Sequence, residues 1–202
     1  VETLTGRFVV RLRETGARSL GVDHQREAQL QLAAAAAGVA PAGVHLDPQH
    51  RFLIMDHIPG PTWSRADFSD ATKLRLLATT LRSLHAVEPP IVADFDLRAL
   101  MHAHRQRIVA VAPAEAASID SLLRRADLAL DAVRSAEREP ALIHGDLHHS
   151  NLIGTERLWL LDWEYGAVTD PLYDLGCVLA YYPQAEPHER LGGAPLDGDE
   201  RG

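Results

Sequence analysis

The chain has 202 residues, 46% hydrophobic and 24% charged, with a formal net charge of −8. That acidic balance argues against nucleic acid or an anionic membrane surface as partner. It contains neither an apolar run long enough to cross a bilayer nor a signal-peptide pattern, and its single cysteine, Cys177, reads as a packing residue in a reducing cytoplasm.

Taken in order, Arg7 to Arg13 (RFVVRLR) reads as a strand ending near Gly16, with Arg11 and Arg13 on one face at a period of two. Asp23 to Ala37 reads as a helix: Asp23 is a plausible N-cap, the alanine run has high propensity, and Gly38 suits the position after the end. Glu27 falls in its first turns. Val44-His45-Leu46 and Phe52-Leu53-Ile54-Met55 read as strands around a turn at Pro48 to Arg51. Asp56-His57-Ile58-Pro59-Gly60-Pro61 is the strongest linker signal in the chain. Three amphipathic helices follow. The first carries Leu74, Leu77, Leu81 and Leu84 after a Ser69 or Asp70 cap and ends near His85. The second carries Leu97, Leu100, Met101, His104, Ile108 and Val111 and stops at Pro113. The third carries Leu122, Ala126, Leu130 and Val133 and stops before Pro140. Their stripes read as core-facing, and His102 and His104 as surface or packing histidines.

Chemistry concentrates between Ala141 and Leu175. Ala141-Leu142-Ile143 reads as a buried strand, His144 to Asn151 as a polar loop, and Leu152-Ile153 with Leu158 to Leu161 as a hairpin turned at Gly154 to Arg157. His144-x-Asp146-Leu147-x-x-x-Asn151 matches the protein-kinase catalytic-loop pattern H-R-D-L-x-x-x-N, with Gly145 in place of the arginine. Eleven residues beyond Asn151, Asp162-Trp163-Glu164 stands where that pattern has D-F-G. Phosphoryl transfer needs such a set, because it is mostly positioning and charge neutralisation. One carboxylate must orient and deprotonate the attacking hydroxyl, and hard oxygen ligands must hold Mg²⁺ against the phosphates. Asp174 to Tyr182 reads as a further helix with an acid in its first turn. Pro183 to Gly202 has four Gly and three Pro and too little apolar surface to order itself.

HGDLHHSN and LLDWEYGAVTDPLYDLG resemble the two signature loops of the aminoglycoside phosphotransferase and choline kinase family, small-molecule kinases on a protein-kinase-like fold. DWEY and the earlier VVRL lean toward choline or thiamine kinase-like members. The resemblance implies an α+β, two-lobe architecture. Residues 1–57 would form a truncated, β-rich N-lobe, 58–182 a larger, mostly helical C-lobe, and 183–202 a disordered tail. It implies ATP and Mg²⁺, with Asp146 as catalytic base and Asn151 and Asp162 as metal ligands. Arg11 would reach the phosphates, paired with Glu27, and Met55, Asp56, His57 and Ile58 would lie beside adenine. His144 and Asp174 would brace the loop. The family's Gly-rich hairpin and its later helices have no counterpart, so the chain is expected to be a fragment at both ends.

The implied acceptor is a small-molecule hydroxyl, with Trp163, Glu164 and Tyr165 the nearest candidates for contacting it. Those rings, with Tyr173, Tyr181 and Tyr182, suit the cation of a choline- or thiamine-type alcohol, or serve as packing. An aminoglycoside would instead call for clustered acids. Two other classes compete: a catalytically inactive kinase-like nucleotide-binding module, and a metal-dependent hydrolase built on His144, Asp146, His148 and His149.

Overall fold

The computed structural model describes residues 1–3, 6–12, 24–49, 51–89, 96–134 and 138–181. The expectations for Arg13, Asp23, Tyr182, the segment 183–202 and the side chains of Val44 and Val133 fall outside them. The chain packs as two compact units, one formed by Val1–Val92 with Ala141–Gly202, the other by Ala93–Pro140. The linker at Asp56 to Pro61, where the lobe boundary was expected, therefore runs inside the first unit.

The first unit opens on a four-stranded antiparallel sheet in the order β1-β2-β4-β3. Its strands are β1 (Glu2–Thr3), β2 (Gly6–Leu12), β3 (Gly43–Leu46) and β4 (Phe52–Asp56). The register Val9↔Met55, Val10↔Ile54 and Arg11↔Leu53 fixes where the Arg11 side chain leaves the sheet. Strand β1 and its pairing with Gly6 and Arg7 were not foreseen, since two residues carry no periodicity to read.

Helix α1 (His24–Ala36) ends as its composition predicts. Gly38 adopts a left-handed φ of 75°. Its amide donates to Ala35 O, and that of Val39 to Ala34 O, which closes the helix in a Schellman turn and buries Val39 beneath it. Helix α2 (Ala71–His85) is capped by Asp70, whose carboxylate accepts from Thr72 N and Lys73 N. Leu77, Leu81 and Leu84 of α2 join Leu30, Phe68, Leu142 and Leu152 in the core.

Strand β5 (Ala141–Ile143) is buried throughout and pairs with β8 (Ala167–Thr169), a three-residue strand that the sequence did not announce. The hairpin β6 (Leu152–Ile153) and β7 (Trp159–Leu160) forms as read. Three hydrogen bonds tie the linker to it: Gly154 N to Pro61 O, Trp63 N to Leu152 O and Trp63 Nε1 to Gly154 O. Helix α5 (Leu172–Tyr181) closes the unit.

The second unit pairs α3 (Leu97–Val111) with α4 (Ala116–Arg134). Their lengths match the spacing, but the expected core-facing stripes are corrected. No described side chain of α3 is buried, and Val111 and Leu122 are 85% and 62% exposed. Leu97, Leu100, Met101, Ala126 and Leu130 are half-buried, and ion pairs also join the helices: Arg98 with Asp127 and Asp131, and Arg105 with Asp120.

Candidate active site

The loop after β5 is organised by two groups with no access to solvent. His144 is fully buried. Its Nδ1 accepts from Asp146 N at 3.3 Å and its Nε2 donates to Leu161 O at 2.7 Å. A backbone amide only donates and a carbonyl only accepts, so the ring is the neutral Nε2–H tautomer. Burial pushes its pKa below the ordinary imidazole value, in keeping with that form. Asp174, also fully buried, accepts from His144 N at 3.1 Å and Gly145 N at 2.9 Å. The expected bracing residues thus both clasp the loop.

His85, at the end of α2, completes this clasp with its Nε2 2.9 Å from Asp174 Oδ2. Sequence reasoning assigned it only the end of a helix. Gly145 adopts φ 81°, and a Cβ there would lie 3.0 Å from the carbonyl carbon of Tyr165. The arginine of the protein-kinase pattern could not stand in this backbone.

Asp146 and Asn151 meet across the loop. Asn151 Nδ2 donates to Asp146 O at 3.0 Å and to its Oδ2 at 3.1 Å. The amide nitrogen is thereby committed to Asp146, and the amide oxygen is the atom suited to a cation. Leu161 N donates to Asn151 O at 2.8 Å, which holds Asp162 at the mouth of the same hairpin. Asp162 has a left-handed φ of 63°, an uncommon conformation for a residue with a Cβ and one that clusters at functional sites.

Arg11 projects from β2 into a ring of carboxylates. Its Nη1 donates to Glu27 Oε1 at 2.7 Å, while Nη2 lies 2.6 Å from Asp162 Oδ1 and 3.3 Å from Glu164 Oε2. Glu27 is 1% exposed, so its charge is held by that pair. Burial and the neighbouring Asp162 raise the pKa of Glu164. Among the described residues, Arg11 is paired with all three of these carboxylates.

A divalent metal fits these residues. Asp162 Oδ1 is buried and receives no hydrogen bond, even with Arg11 beside it. The donor set, a carboxylate and an amide oxygen, is hard, and the local excess of negative charge favours a dication. The hydrolase arrangement does not form. Among the described residues no three His, Cys, Asp or Glu groups are placed to hold a metal, and both nitrogens of His144 are engaged.

One expectation is corrected. Trp163 is fully buried, its Nε1 donating to Leu160 O and its ring packed against His144 at 4.8 Å, so it has no face for a substrate. Glu164 and Tyr165 remain accessible, Tyr165 at 43%. In the segment expected beside adenine, Asp56 N is bonded to Ala42 O and His57 N to Arg7 O, and Met55 is buried with its Sδ near Gln31 Nε2. The donors of Asp56 and His57 are therefore not open to a base.

The model of the phosphotransferase enzyme family matches residues 1–201, and the chain belongs to that family. Its structure is similar, with a TM-score of 0.74 and 25% identity, to the choline/ethanolamine kinase family protein from Mesorhizobium loti, over 95% of this chain and 66% of that one. It is similar to the choline kinase LicA from Streptococcus pneumoniae with a TM-score of 0.71 and 18% identity, over 98% of this chain and 72% of that one. The gentamicin–APH(2″)-IIa complex gives a TM-score of 0.60 at 19% identity, over 91% and 72%. The fold is accordingly the kinase-like α+β fold, and the chain spans about two thirds of the length of the choline/ethanolamine kinase relative. No curated protein matches it in sequence.

Proposed function

We propose that the protein moves the γ-phosphoryl group of ATP to a hydroxyl of a small molecule, most readily a choline- or thiamine-type alcohol. The observation that carries this is the pair Asp146–Asn151 and the cluster Arg11–Glu27–Asp162, linked through the Leu161 N to Asn151 O bond. Asp146 takes the proton of the acceptor hydroxyl as its oxygen bonds to the γ-phosphorus and the bond to the β-phosphate oxygen breaks, leaving ADP. Asn151 and Asp162 would hold Mg²⁺, which supplies charge neutralisation on the phosphates. Arg11, kept in place by buried Glu27, is aimed at the same phosphates and suits bidentate contact. With the donors of Asp56 and His57 engaged, adenine would be held by the remaining groups of Met55 to Ile58. Exposed Tyr165 and Tyr181 support a cationic acceptor through their faces, whereas accessible Glu164 supports a polyamine such as an aminoglycoside.

The test is Mg²⁺-dependent ADP release with a panel of choline, ethanolamine, thiamine and aminoglycosides. Turnover by the parent with one acceptor and loss of about 10²–10⁴-fold in Asp146→Asn, with ATP affinity kept, is the expected outcome for a general base. Asp162→Ala should lose metal-dependent nucleotide binding. Unchanged turnover in Asp146→Asn would remove the base assignment, and nucleotide binding without turnover would favour the inactive module.

A further inference from the structure

Asp146 is held by more than Asn151. His148 Nε2 lies 3.4 Å from Asp146 Oδ2, and Tyr181 Oη donates to Asp146 Oδ1 at 3.4 Å. The rings of His148 and Tyr181 meet edge to face with centroids 5.2 Å apart. Catalytic contacts of this length commonly tighten once substrate is bound.

The backbone decides which nitrogen of His148 carries the proton. Ser150 N donates to His148 Nδ1 at 3.3 Å, as the histidine caps the short turn His149–Asn151. An amide only donates, so Nδ1 is bare and the neutral ring carries its proton on Nε2, the atom facing Asp146. His144 is fixed in the same tautomer, but its donor is directed at Leu161 O. The loop thus uses one backbone device twice, once to build itself and once toward the carboxylate.

We infer that His148, backed by Tyr181, is a positioning residue for phosphoryl transfer. Asn151 and His148 both approach Oδ2 and fix the carboxylate's rotation, which leaves Oδ1, contacted among the described residues by the long Tyr181 bond, to accept the hydroxyl proton. This rests on Asp146 being the base.

Three variants of the full chain separate this role from the capping role of the same side chain. His148→Asn keeps an oxygen for Ser150 N but ends short of Asp146. His148→Gln reaches Asp146 with an N–H and gives up the cap. Positioning predicts that His148→Asn loses roughly 10–100-fold in kcat with its KM for ATP unmoved. It predicts that His148→Gln recovers most of that rate while melting lower, and that Tyr181→Phe loses less than His148→Asn. The reverse order, an active His148→Asn and an inactive His148→Gln, would overturn the inference.

A second readout needs no acceptor. Long-range nitrogen–proton NMR of His148 in the unmodified chain should show the Nε2–H tautomer at pH 8, and the Nδ1–H tautomer overturns the assignment. Absence of turnover by the parent with every acceptor would count against the proposed function, and the tautomer would still decide the placement of His148.

Discussion

Gly145 is where the catalytic loop departs from the protein-kinase pattern, and its backbone gives the reason. The residue is left-handed and faces the Tyr165 carbonyl, so Gly145→Ala adds both conformational strain and a clash with backbone that has little room to yield. Such positions cost about 1–3 kcal/mol each. We expect a lowered urea midpoint and a larger fall in kcat, and an unchanged midpoint would refute the strain. Cys177 gives a second residue-scale prediction. Burial raises its thiol to about 11, and its Sγ contacts Gly145 O. Alkylation at neutral pH should be slow in the folded chain and fast in urea, so rapid labelling of the folded chain would refute its burial. His144, Asp146, Asn151 and Asp162 were legible because a short loop and hairpin carry them at fixed spacing. His85 and Tyr181 were not, lying 89 and 35 residues from the carboxylates they contact.

Helix ends were read well because caps are local chemistry: Asp70 binds the amides two and three residues on, and Gly38 supplies the left-handed turn. Strands β1 and β8 escaped notice because two or three residues cannot show a period. Helices α3 and α4 teach a different lesson. Apolar spacing fixed their lengths but could not say whether the stripe would be covered, and the charges that pair them lie on other positions. With few buried side chains and half-exposed ion pairs, α3 and α4 should exchange amide protons faster than α2, and faster still at high salt. Arg105→Ala should speed their exchange in low salt only. Salt-insensitive protection of residues 97–134 would show that something other than charge holds the pair.

At the scale of the whole molecule, buried His144 contributes a response to acid. Its folded pKa is depressed, so the unfolded chain takes up a proton near the ordinary value of about 6.5 that the native chain refuses. Stability should therefore be steady above that pH and fall as pH drops below it. Asp67, lowered by its hydrogen bond from Lys73, and Asp120, lowered by Arg105, act in the same direction at lower pH. Urea midpoints measured from pH 8 to 5 should decline below about 6.5, with a flatter profile in His144→Gln. A midpoint that rises on acidification would contradict the buried neutral imidazole.

The bonds of Pro61 and Trp63 to the hairpin have a mechanical consequence. They tie the linker after β4 to the hairpin that begins at Leu152, directly after Asn151. On the proposed function, the base side and the metal side of the site share one spine, as in a caliper whose arms cannot slide separately. A substitution such as Trp63→Ala, which removes the Nε1 bond to Gly154 O, should weaken nucleotide and metal binding in equal measure, so that the two affinities fall together.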